Sequence, residues 1–191
     1  MTSEFRVRPR VRSPAIIGVA LAGAVLGSAW DQLHVRTHTI IYSIGTGRMP
    51  LWVPLEFAIV YVVGVIGIAR LGAPAPDARR FARLGRETAW VTVVYAITAF
   101  GHRHELIVFA LCALALVVRR RTFATILRGN AIPAAALVIA GPVVETSLIH
   151  AGLFHYTNAS LGNVALWLPL LYANAVPFGV RLTEAAVEDP A

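Results

Sequence analysis

The chain has 191 residues, of which 57% are apolar before its 15 glycines are counted, and only 14% are charged. That balance, with a mean hydropathy of +0.67, excludes a soluble globule, a disordered chain, a coiled coil and a collagen, and leaves an integral membrane protein. The net charge of +7 comes from 17 arginines, with no lysine, against 10 acids, so the placement of the arginines must decide between a polyanion partner and membrane topology.

A helix needs about 20 apolar residues to cross a bilayer. Six segments approach that length: 14–30, 51–69, 88–100, 106–118, 131–154 and 164–182. The first follows Arg6, Arg8, Arg10 and Arg12 and also has the look of a cleavable signal, with Gly27-Ser28-Ala29 as a small-residue site. Its length and its share in an internal repeat favour a retained span. The third and fourth segments are short, and a four-span chain with 88–118 lying as an interfacial hairpin is the alternative.

Six spans place Arg6 to Arg12, the group Arg70, Arg79, Arg80, Arg83 and Arg86, the group Arg119, Arg120, Arg121 and Arg128, and Arg181 on one side. Only Arg36, Arg48 and Arg103 fall on the other, which satisfies the positive-inside rule and removes the need for nucleic acid. The expected fold is therefore an all-α integral membrane protein with six transmembrane helices and both termini cytoplasmic. It forms one domain over residues 1–191, with a basic tail at 1–13, the bundle at 14–182 and a short tail at 183–191. The segments from Asp77 to Leu84 and from Arg119 to Leu127 interleave arginines with apolar residues. They are expected to lie as loops on the anionic leaflet, or to act simply as topology determinants.

Spans one and two resemble spans five and six. Asp31 precedes Tyr42 by eleven positions, as Glu145 precedes Tyr156, and Leu51-Trp-Val-Pro-Leu is followed later by Leu166-Trp-Leu-Pro-Leu. An even number of spans separates the copies, so they share one orientation. Convergent use of Trp and Pro at helix starts is the competing explanation. Gly23 and Gly27 form a GxxxG step that favours close packing within the bundle or between copies in a homo-oligomer. Pro142, Pro169 and Pro177 are expected to kink their helices and open a cavity.

Ionisable groups inside a membrane are costly and mark function. Glu56 and Glu145 lie within spans, Asp31 and Gln32 close the first, and His34, His38, His102, His104, His150 and His155 gather on the side away from the arginines. This is a polar rim on an apolar interior, suited to a lipid headgroup. The plainer alternatives are interfacial histidines and a protonated Glu145 bonded to a neighbouring helix. Asp31, His34 and His38 share a helical face, but a single such cluster is thin ground for a metal. Cys112 stands alone, so no disulfide framework, cysteine metal site or cofactor is expected.

The stretch Ile149-His-Ala-Gly-Leu-Phe-His-Tyr-Thr-Asn, then Ala165-Leu-Trp-Leu-Pro-Leu-Leu-Tyr, closing on Gly179-Val-Arg-Leu, resembles the last third of the Insig (insulin-induced gene) family. Glu105 occupies roughly the place of the acidic residue at the start of that family's fourth span, and Arg119 to Arg121 the place of its basic loop. Asp31-Gln-Leu-His-Val with Tyr42 and Leu51-Trp-Val-Pro looks like the bacterial form, and arginine without lysine fits a high-GC source such as an actinobacterium.

The resemblance implies a non-enzymatic, lipid-sensing membrane protein. Animal Insig proteins bind oxygenated sterols and hold partner proteins, which are not expected in a bacterium. The ligand expected here is a neutral amphiphile, sterol-like or a diacylglycerol, in a cavity within the bundle. The expected lipid-binding residues are Asp31, Gln32, His34, Trp52, Glu56, Trp90, Tyr95, Glu145, Tyr156 and Trp167. The rival is a small membrane enzyme acting on an isoprenoid or sterol-like lipid, with Glu56, Glu145 or the histidines as acid and base. A transporter suffers from the scarcity of polar residues on the arginine half of every span.

Overall fold

The computed structural model describes residues 11–44, 48–72 and 78–188. Arg6, Arg8, Arg10 and Asp77, which carried part of the topology reading, lie outside the described residues. Within them the chain forms six helical rods and one small sheet. The first rod, α1, covers Ser13–Arg36 with a π-helical turn at Gly23–Gly27. It is followed by β1 (Ile40–Tyr42), α2 (Trp52–Gly72), α3 (Arg80–Gly101), α4 (Glu105–Val118), α5 (Arg120–His150), β2 (Phe154–Tyr156) and α6 (Leu168–Ala186). By length and composition α1 and Trp52–Leu71 can cross a membrane, while Glu105–Val118 and Ala134–His150 are shorter apolar helices.

The all-α expectation needs one correction. Ile40, Ile41 and Tyr42 pair antiparallel with Tyr156, His155 and Phe154. Three-residue strands are too short to show alternation in a sequence, yet β-branched and aromatic triplets are what a sheet accepts. Thr157 extends the pairing through its N–H to the Thr39 carbonyl at 3.1 Å.

The helices also run past the ends that hydropathy assigns, because polar residues at those ends have partners inside the bundle. Asp31 does not close α1, which continues for more than a turn to Arg36. Trp30 Nε1 donates to Thr92 at 2.9 Å and His34 Nε2 pairs with Thr98 at 2.9 Å, so α1 is held along α3 in that extension. The described parts of the two basic segments expected as loops are likewise mostly helical, as the start of α3 and of α5. Glu87 in α3 is fully buried and meets Arg119 at 2.5 Å, and the Arg119 guanidinium lies 4.9 Å from the Trp90 ring centre. A hydropathy window sees only the apolar middle of such rods. At the other end of the last pair, Phe154 belongs to β2 and Val164 to an isolated bridge with Leu161. Pro169 opens α6 at its first turn, where its missing N–H costs nothing, so of the two α6 prolines only Pro177 lies inside the helix.

These contacts fix direction. Rods α1, α3 and α5 run toward the hairpin, while α2, α4 and α6 run away. Arg12, Arg86, Arg119 and Arg181 therefore share the end opposite the hairpin. The outward surfaces remain apolar, with Ile17, Leu21 and Val25 on α1 and Leu106, Leu114 and Val118 on α4 all exposed.

Gly23 and Gly27 are used inside the chain. A Cβ at Gly23 would stand 2.6 Å from the Phe57 carbonyl oxygen, and one at Gly27 would overlap the Phe57 ring. The GxxxG step thus seats α1 on α2, and an oligomer must use another face. Gly27→Ala is expected to destabilise the detergent-solubilised protein by about 1–3 kcal/mol, the usual cost of overpacking. Gly18→Ala, where nothing lies within 4 Å, should leave the melting temperature level or slightly higher, and a fall equal to that of Gly27→Ala would refute the packing account.

Candidate functional site

Buried carboxyls in an apolar bundle need donors. Each of the two carboxyls in the internal repeat receives one from the strand that follows its own helix. The Tyr42 hydroxyl donates to Asp31 Oδ2 at 2.8 Å, and the Tyr156 hydroxyl donates to Glu145 Oε2. Both pairs span eleven residues, from a helix end across a turn into a strand, and β1 and β2 then pair with each other. Burial raises the Tyr42 phenol above its ordinary value, and the neighbouring Asp31 carboxyl adds to the shift; burial and then Glu145 do the same for Tyr156. Both phenols therefore stay protonated and keep donating at physiological pH.

The repeat is geometric as well as textual. Gly27 packs on the Phe57 ring, and Gly141, at the offset that separates Asp31 from Glu145, packs on the Tyr172 ring. Convergence of Trp-Pro helix starts does not account for matched glycines, matched carboxyl–phenol pairs and a shared hairpin. The copies differ in the support of the carboxyl: Glu145 accepts a second bond, from the Tyr172 hydroxyl to Oε1 at 2.7 Å.

The other expected residues divide. His34 is buried core, its ring 5.2 Å from Tyr95 and 5.6 Å from Trp167. The Thr98 hydroxyl gives its hydrogen to the Tyr95 carbonyl, so His34 Nε2 carries the proton and donates to Thr98. Trp52 packs edge-on against Tyr42 at 5.8 Å, and Trp167 is fully buried against Tyr156. Trp90 lies toward the arginine end, donating to Asn174 at 3.3 Å beneath Arg119. Glu56 and Gln32 are half-buried, with no hydrogen-bond partner for either side chain among the described residues. His38 holds a left-handed backbone at φ 59° and accepts the Thr157 hydroxyl on its carbonyl. Glu105 takes the Leu166 N–H at 3.2 Å and the Ser160 hydroxyl, tying the α3–α4 turn to the loop before α6.

Beside the carboxyl pairs, α1, α2, α3, α5 and α6 enclose a cavity of about 120 Å³. Its walls are aromatic and aliphatic, built chiefly from Trp30, Phe57, Tyr61, Tyr95, Tyr172 and Phe178, and contain no basic side chain. Trp30 stacks on Tyr95 at 5.1 Å and meets Phe178 edge-on at 5.5 Å. Val60, 45% exposed, marks where the space reaches the lateral surface of the bundle. Of the ten expected lipid-binding residues Tyr95 alone lines it, although Glu145 grips its wall through Tyr172. The sequence reading missed Phe57, Tyr61, Tyr172 and Phe178. The signal was present: carrying the match of Leu51-Trp-Val-Pro-Leu with Leu166-Trp-Leu-Pro-Leu two residues further sets Phe57 against Tyr172.

The fold matches the crystal structure of the Insig homologue of Mycobacterium vanbaalenii. The TM-score is 0.76 at 27% identity, over 92% of this chain and 95% of that one. The chain is an Insig-like protein. A second crystal structure, a cross-linked trimer of a cysteine variant of the mycobacterial protein, matches at a TM-score of 0.69 and 26% identity, covering 93% of this chain and 96% of that one. No protein-family model and no curated protein matches the sequence. The Insig-like fold and the two long apolar helices make this a membrane protein.

Unequal support for the two carboxyls sets an order of stability. Tyr42→Phe strips Asp31 of its one donor and should cost about 1–3 kcal/mol, whereas Tyr156→Phe leaves Glu145 with Tyr172 and should cost about 1 kcal/mol. Combining Asp31→Leu with Tyr42→Phe should recover part of the loss, because neither partner is then left unpaired. Melting temperatures of the three variants check this, and equal losses for the two tyrosines would contradict it.

Proposed function

We propose that this chain is a non-enzymatic, lipid-binding and lipid-sensing membrane protein that holds a neutral amphiphile, sterol-like or a diacylglycerol, in the cavity within its bundle. The observation that carries the reading is the cavity itself: apolar walls, a lateral opening at Val60 and, in the wall, Tyr172 bonded to Glu145. Acyl carbon suits such walls, the space of about 120 Å³ taking part of one chain while the rest passes through the opening into the bilayer. A phosphate headgroup does not fit, because no cation lines the space while Asp31, Glu56 and Glu145 stand close enough to influence one another.

A holding role fits the carboxyls better than proton transfer does, since Glu145 is already committed to two phenols. On this reading all 191 residues form one domain of six spans with both termini cytoplasmic, in the cytoplasmic membrane of a bacterium. The gathering of Arg12, Arg86, Arg119 and Arg181 at one end of the bundle supports that orientation. Assembly as a homo-oligomer is supported by the cross-linked trimer of the mycobacterial relative. The contact would use an outward apolar face other than that of Gly23 and Gly27.

Native mass spectrometry of the gently solubilised protein should show a co-purifying neutral lipid. Ala175→Trp, which fills the cavity from α6, should reduce its occupancy at least about tenfold. A wild-type protein free of any neutral lipid would overturn the proposal.

A further inference from the structure

The α3–α4 turn carries polar groups that the cavity does not use. Arg103 and Glu105 in that turn, with Asn158 and Ser160 in the loop after β2, line an open groove of about 790 Å³ at the hairpin end. Leu106 and Ile107 line it too, and both are exposed. The groove is thus charged where it meets the turn, and apolar where it joins the outward surface that runs down α4 through Leu114 to Val118.

Helix length sets this groove against lipid headgroups. α4 has 14 residues, about 21 Å at 1.5 Å per residue, whereas the hydrocarbon layer is about 30 Å thick. Its far end is fixed where Arg119 pairs with Glu87, and α3 from Glu87 to Gly101 covers a similar length. Where α3 and α4 cross the bilayer, as proposed above, charged groups at both ends of so short a stretch draw the headgroups inward.

Both signs of charge are on offer. Arg103 is exposed, with no hydrogen bond or ion pair for its side chain among the described residues, so its guanidinium is open to a phosphate. Glu105 accepts the Leu166 N–H at 3.2 Å and the Ser160 hydroxyl, which uses two of the roughly four lone-pair sites of a carboxylate. Asn158 spends its Nδ2 on the His102 carbonyl at 3.1 Å and keeps its Oδ1. A phosphate at Arg103 and an ammonium at Glu105 answer both charges with one molecule. A headgroup without an ammonium leaves the acceptors open, and a trimethylated one has no N–H to give them.

We infer that this groove is a second lipid site, which seats a phospholipid with a primary-amine headgroup: Arg103 takes the phosphate, Glu105 the ammonium, and an acyl chain lies along Leu106 and Ile107. The inference rests on the spans proposed for α3 and α4 and is independent of the lipid in the cavity, whose walls hold no cation.

Native mass spectrometry of delipidated protein titrated with dioleoyl phosphatidylethanolamine, phosphatidylcholine and phosphatidylglycerol tests it. The ethanolamine lipid should bind about tenfold more tightly than the other two, the scale of one charge-assisted hydrogen bond. Glu105→Gln, which can still accept from Leu166 and donate to Ser160, should bring ethanolamine level with choline. Arg103→Gln should weaken all three at an unchanged melting temperature, while Ala175→Trp in the cavity should leave them alone. Equal binding of the three lipids, a preference that survives Glu105→Gln, binding unmoved by Arg103→Gln, or a loss in Ala175→Trp overturns the site. The spans are read separately: in intact cells Arg103→Cys should react with a membrane-impermeant maleimide while the buried Cys112 stays silent. No reaction there overturns the spans and the inference with them.

Discussion

The hairpin end is organised around two carboxyls set inside helices. Asp31 lies inside α1 and Glu145 inside α5, where an unpaired acid would be expensive and must find donors within the chain. Each is paired with a tyrosine eleven residues on, and that requirement bends the chain out of its helix, across a turn and into a short strand. The two strands then satisfy each other's backbone, which a membrane-embedded chain has to do internally. The same bond, made twice, thus closes each helix–turn–strand unit and brings the two strands together.

The arginine end is held by a different device. Glu87 is buried without exposure and carries Arg119 against it, with the guanidinium over Trp90; further along, Arg181 pairs with Glu184 inside the bundle. A buried ion pair is a weak source of stability but a strong one of register, because either member alone would be intolerable. Asp31 and Glu145 are bonded to neutral phenols, while Glu87 and Glu184 at the opposite end face cations. The cavity, whose walls are free of basic side chains, reaches from Tyr172 at the phenol-bonded end to Leu182 beside Arg181.

Much of this was legible in the sequence, and the parts that were not share a cause. Hydropathy located the apolar middle of every rod, and the eleven-residue spacing of Asp31 with Tyr42 and Glu145 with Tyr156 announced the repeat. Helix ends were misplaced where polar residues are helical because of a tertiary partner: Thr92 and Thr98 for α1, Glu87 for Arg119. Sequence periodicity carries no trace of such partners. The Insig resemblance was legible from the Trp-Leu-Pro and Tyr-Thr steps and agrees with the mycobacterial structure. Polarity, however, was a poor guide to the cavity. Ranking residues by how costly they are to bury selected His34, Trp90 and Trp167, which are packed or bonded, and passed over the plain aromatic Phe57.

Internal symmetry supplies what a ranking by polarity cannot. When two copies of a motif are superposed, positions that keep the same contact are explained by folding alone: Gly27 and Gly141, Asp31 and Glu145, Tyr42 and Tyr156. A position that departs from its copy while keeping the shape, as Phe57 departs from Tyr172, has been released from the structural requirement. Glu145 accepts a second phenol from Tyr172, whereas Phe57 at the matching place has no hydroxyl to offer the shorter Asp31. The asymmetry lies in the cavity wall, which Phe57 and Tyr172 both line while neither carboxyl does.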